Sequence, residues 1–187
     1  MQTDRRSNSY RLTIGGILLA LGIIVPRMFH VFGTPGIGKV FLPMHFSIFI
    51  AGIFLGPFYG TIIGFITPLI NSLFGMPIFP QNIIMAFELA SYGLFAGLFM
   101  YLLKSYNNKR ISRTIRIYIS LILSMILGRM VNAIVLLLMA RLFNMNVPAP
   151  LSVLASSLRG MPGILIQLLL VPGIVIAIYS SQEKYIQ

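Results

Sequence analysis

Residues Leu42 to Phe74 read LPMHFSIFIAGIFLGPFYGTIIGFITPLINSLF, with no aspartate, glutamate, lysine or arginine anywhere in the run. A helix needs about 20 apolar residues to cross the hydrocarbon core of a bilayer. This run is longer than one such helix, and Gly56-Pro57 divides it, because proline cannot continue a helix and starts a new one instead. It therefore reads as two short apolar helices joined in a tight hairpin. Pro43 is expected in the first turn of the first helix, where its missing N–H has no intrahelical partner to lose. His45 stands beside it at the mouth of the run, and Gly33 to Lys39, rich in glycine and proline, reads as the loop before it.

The whole chain fits the same class. Its 187 residues are 57% hydrophobic and 9% charged, where a soluble domain carries about 25% charged residues. It reads as one all-α integral membrane domain over residues 1–187. The net charge of +11 does not point to nucleic acid, since the basic residues flank apolar segments rather than forming one stripe. With no cysteine, the chain offers no disulfide, thiolate ligand or thiol nucleophile.

Apolar runs and their punctuation predict six spans: Arg11–His30, Leu42–Leu55, Phe58–Phe74, Gln81–Leu103, Ile117–Phe143 and Ala155–Tyr179. The first lacks a small-residue cleavage site and reads as a retained helix. Orientation follows from lysine and arginine in the short loops. Arg5, Arg6, Arg11, Lys104, Lys109, Arg110, Arg113, Arg116 and Lys184 fall on one side, against Arg27, Lys39 and Arg141 on the other. Both termini and the span four to five loop are therefore expected in the cytoplasm. No Walker-type motif is present, so ATP hydrolysis is not expected of this chain.

Polar side chains inside spans are costly and face a cavity or one another. The candidates are His45, Asn71, Gln81, Asn82, Glu88, Arg129, Asn132 and Arg159. On the six-span topology all fall in the outer half of the membrane, which points to a ligand site there. Asn132 shares a helical face with Arg129. Structural readings stand beside the functional one: a Glu88–Arg129 ion pair, a snorkelling Arg159, an Asn132 that bridges helices. Two arginines against one acid leave a positive charge over, which an anionic ligand would balance. Catalysis is not expected, since Glu88 has no second acid and His45 no nucleophile at motif spacing. A metal site between His30 and His45 would lack further ligands, and none is assigned.

Gly15, Gly16 and Ala20 give the first span a small-residue face on which another helix can approach closely. Gly52, Gly56, Gly60 and Gly64 repeat every four residues, but Pro57 prevents one continuous face, so they are expected to pack the hairpin.

The block LPMHFSIFIAGIFLGPFYGTIIGFITPLINSLFGMP and the following MAFELASYGLFAGL strongly resemble the substrate-binding S components of energy-coupling factor (ECF) vitamin transporters. The resemblance implies a vitamin-binding membrane subunit that joins a transmembrane coupling protein, EcfT, and two cytoplasmic ATPases, EcfA and EcfA′. ATP and Mg would be bound on those partners, with no cofactor in this chain and a bacterial cell membrane as its place. It implies that Gly15, Gly16 and Ala20 meet the coupling protein, and it adds Tyr92 to the candidate substrate-binding residues. Pantothenate is the expected vitamin, its carboxylate on Arg129 or Arg159 and its hydroxyls and amide on Asn71, Gln81, Glu88 and Asn132. Niacin suits the same charge, while pyridoxine or a hydroxymethylpyrimidine would centre on Glu88. A membrane scaffold whose polar groups serve only packing, and an intramembrane enzyme acting on lipid, are the readings from other classes.

Overall fold

The computed structural model describes residues 8–32, 37–105 and 112–184. Their regular structure is entirely helical: α1 Asn8–Phe32, α2 Ile37–Phe41, α3 Pro43–Leu55, α4 Pro57–Leu73, α5 Gln81–Ser105, α6 Arg113–Leu142, α7 Ser152–Arg159 and α8 Met161–Lys184. Four of these, α1, α5, α6 and α8, are long and apolar enough to cross a membrane. Helices α3 and α4 have 13 and 17 residues, hence lengths of about 20 and 26 Å.

The hairpin forms where the sequence places it. Pro43 and Pro57 each open a helix, and Gly56 between them has φ 102°, a left-handed conformation that disfavours any side chain. Two expectations need correction. Ile37 to Lys39 do not lie in a loop but begin the short helix α2, while Gly33 to Gly36 fall outside the described residues. The sixth span is not one helix either. Gly160 separates α7 from α8, and Pro162 then occupies the first turn of α8, where proline is tolerated. Of the basic loop, Lys104 belongs to α5 and Arg113 and Arg116 to α6, with 106–111 outside the described residues.

Between helices in lipid there is no hydrophobic drive, so close packing of small residues decides which helices meet. Gly52, Gly60 and Gly64 of the glycine repeat do pack the hairpin, mainly against α5, whereas Gly56 has nothing near its Cβ position among the described residues and serves the turn. A Cβ on Gly60 would lie 2.7 Å from Gly52 Cα and 2.7 Å from the Gly93 carbonyl oxygen. Gly64 lies against the Leu89 carbonyl in the same way. Thus α3, α4 and α5 meet backbone to backbone, with Phe49, Ile48, Ala51, Leu89 and Ala96 buried around the crossing.

Helix α1 is fixed by a different device. Pro26 lies inside it and has no N–H, so the carbonyl four residues back, that of Gly22, lacks its helical donor. Asn71 Nδ2 on α4 donates to that same oxygen at 3.1 Å and also to Thr67 O at 3.0 Å. The amide thus satisfies a backbone group that lipid cannot. Beyond it, Arg27 donates to Phe74 O at 3.3 Å and lies 3.8 Å from the Phe74 ring centroid, pinning the end of α1 to the α4–α5 turn.

Candidate functional site

A cavity of about 710 Å³ lies among α3, α5, α6, α7 and α8, within the range usual for small-molecule sites. Its inner wall is aromatic. His45 on α3 lies 5.3 Å from Tyr92 on α5, and Phe49 lies 5.1 Å from Tyr92, centroid to centroid. Tyr92 reaches this position because Gly128 on α6 has no side chain; a Cβ there would overlap the Tyr92 ring.

Behind this wall Glu88 is buried and takes three donors. Tyr92 Oη donates to Glu88 Oε1 at 2.8 Å, Arg129 Nη1 to the same oxygen at 2.9 Å, and Asn132 Nδ2 to Oε2. The pairs obey helical spacing: Glu88 and Tyr92 are one turn apart on α5, and Arg129 and Asn132 are one turn apart on α6. One carboxylate therefore orients two of the cavity-lining side chains, Tyr92 and Arg129. Charge-assisted bonds of this kind are the strong ones, and a buried carboxylate without them would be costly.

At the junction of α2 and α3, Leu42 adopts φ 50°, ψ 49°, a conformation that is strained for a bulky side chain. It aims the Leu42 carbonyl at two donors, the His45 N–H at 3.1 Å and Gln167 Nε2 of α8 at 3.3 Å. The His45 ring is a different matter. Both its nitrogens are buried and have no hydrogen-bond partner, and the ring lines the cavity. Buried polar atoms are almost always satisfied, so these two nitrogens stand out beside the cavity as groups still lacking a partner.

The match of the ECF transporter substrate-specific component family model runs over residues 10–179. The chain belongs to that family. No curated protein and no solved structure matched it. In this ECF substrate-specific component the cavity gathers some of the candidate residues and not others.

His45, Tyr92 and Arg129 line it, and Glu88, itself held by Asn132, holds Tyr92 and Arg129 from behind. The other candidates lie elsewhere. Asn71 joins α4 to α1. Asn82 accepts from the Ile83 N–H and donates to Ser72 Oγ at 3.3 Å at the start of α5, and Gln81 beside it is exposed. Arg159 is exposed at the end of α7, where its charge suits the helix C-terminus, and does not line the cavity. The expected excess of positive charge in the site therefore disappears. Among the described residues that line or brace the cavity, Glu88 and Arg129 are the only formal charges, and they form an ion pair.

Sequence reasoning missed Gln167 and Phe49. An amide alone in the apolar run Gly163 to Pro172 carries the same signal as Asn132, and that signal was available. Phe49 gives none, since it is one aromatic residue among many. In the first helix, Gly16 and Ala20 are exposed, whereas Gly15 faces inward, its Cβ position 3.5 Å from Ile63 Cδ1 of α4. The side chain of His30 lies outside the described residues.

Proposed function

We propose that this chain is the vitamin-binding subunit of an ECF uptake transporter, working with a transmembrane coupling protein and two cytoplasmic ATPases. The observation that carries it is the unpartnered His45 imidazole facing a cavity braced by the Glu88 network. In this reading α3 and α4 count as crossings with the four longer helices, giving six passes and cytoplasmic termini in a bacterial cell membrane. The substrate-binding residues are then His45, Tyr92 and Arg129, joined by Phe49 and Gln167, with Glu88 and Asn132 as positioning residues. Gly16 and Ala20 are the partner-facing pair.

Pantothenate is the vitamin that the sequence favours, and its support is the part of the Arg129 guanidinium not turned to Glu88. The balanced charge favours a second reading, an uncharged ring such as pyridoxine or a hydroxymethylpyrimidine. Such a ring stacks on the His45–Phe49–Tyr92 wall and adds no uncompensated charge. It would meet His45, not Glu88, whose oxygens already have three donors.

Mass spectrometry of the small molecule retained on purification decides among these, followed by calorimetry with pantothenate, niacin, pyridoxine and hydroxymethylpyrimidine. One of them is expected to bind, and His45→Phe is expected to weaken it at least tenfold. No retained vitamin and no binding would leave the scaffold reading in place.

A further inference from the structure

Resting on the cavity as the ligand site, we infer that it opens sideways into the hydrocarbon of the bilayer between α6 and the α7–α8 pair, and that its ligand is polar at one end only, with an apolar end in that opening. Among the proposed vitamins this excludes pantothenate, polar at both ends, and keeps the ring compounds. The closed side of the cavity is formed by His45, Tyr92 and Gln167, at 4%, 2% and 1% exposure. The rim on α6 is formed by Ile122, Ile126 and Met130, at 45%, 55% and 56%. These three recur every four residues and so share one face of the helix. From Arg116, the last of the basic residues at the start of α6, Ile122 and Met130 lie about 9 and 21 Å along the axis. A basic flank of this kind marks the headgroup level, so both positions fall within the ~30 Å hydrocarbon core.

On the other side of the opening Leu151 and Leu154 are exposed as well, with Pro150 and Ser157 lining the cavity beside them, the Ser157 hydroxyl being committed to Val153 O at 2.8 Å. The rim is continuous with the membrane-facing surface of α6 and α8, where Ile134, Leu137, Leu165 and Leu169 are exposed. A water-filled mouth at this depth would need polar lining, and a ligand with hydrogen-bonding groups at its outer end would leave them unsatisfied in lipid. The polar capacity of the site lies at its inner end. His45 has two unpartnered nitrogens, and Arg129 bonds Glu88 through Nη1 alone among the described contacts. Met125, Ile164 and Leu168 then form an apolar passage from that end to the rim.

The chain has no tryptophan, so Met125→Trp places a single reporter in the passage, and Leu168→Trp on the facing wall serves if the first variant does not fold. In nanodiscs, phospholipid brominated along its acyl chains is expected to quench this fluorescence several-fold more than aqueous iodide does. 1-Octanol, polar at one end, is expected to relieve the lipid quenching, and 1,8-octanediol at equal membrane concentration is not. His45→Phe is expected to remove the effect of octanol.

Stronger quenching by iodide, quenching by neither agent, or equal action of the diol would overturn the inference. The retained-vitamin measurement is separate. A bound vitamin with iodide-dominated quenching removes the lateral opening and leaves the transport function. Lipid quenching relieved by octanol, with no vitamin bound, does the reverse.

Discussion

Glu88 holds two side chains of the cavity in place without lining it, and that defines how it fails. Removing one partner of a buried ion pair leaves a charge unpaired and typically costs about 3–5 kcal/mol, whereas removing both costs far less. Glu88→Gln and Arg129→Gln are each expected to lower the thermal unfolding temperature in detergent, and the double variant is expected to recover most of the loss. Additive losses would mean that the pair is not a unit. Gly128→Val tests the site from the other helix. A side chain there is expected to displace Tyr92 and weaken ligand binding at least tenfold, by calorimetry, while circular dichroism stays helical.

At the level of the helices, Asn71 shows what a single sequence conceals. An amide deep in an apolar run signals a costly group that must have a partner, and that much was legible. Its partner is a carbonyl left open by Pro26 on another helix, and no spacing along the chain connects residues so far apart. The pairing makes an uncommon prediction. Asn71→Leu is expected to cost about 1–3 kcal/mol of stability, the usual penalty for an unsatisfied buried group. Adding Pro26→Ala restores the helical donor and is expected to return the melting temperature close to that of the parent. No rescue would remove the explanation. The hairpin, by contrast, was readable to within a residue, because Pro43, Gly56 and Pro57 act locally through backbone geometry. The break at Gly160 was equally local, in the stretch Arg159-Gly160-Met161-Pro162-Gly163, but the polar helix before it, with Ser152, Ser156, Ser157 and Arg159, was merged with the apolar run that follows.

Taken as a molecule, the chain presents Gly16 and Ala20 outward on α1 while Gly15 packs inward. Gly16→Leu is expected to reduce co-purification with the coupling protein severalfold and to leave ligand affinity within about twofold, since no described atom outside its own stretch of helix lies within 4 Å of its Cβ position. Loss of both would place α1 inside the binding site instead. Absence of cysteine makes the six-pass topology directly testable. Ser112→Cys is expected to react with an impermeant maleimide only from the cytoplasmic side, and Ala149→Cys only from the opposite side.

At the glycine crossing, α3, α4 and α5 touch through their backbones. Backbones in direct contact leave no slack for rearrangement, so the wall carrying His45, Phe49 and Tyr92 serves as a fixed datum. With the cavity as the proposed ligand site, variation in what it accepts then falls to α6, α7 and α8, and changing Met125, Ile164 or Leu168 is expected to alter the preferred ligand against a fixed aromatic face.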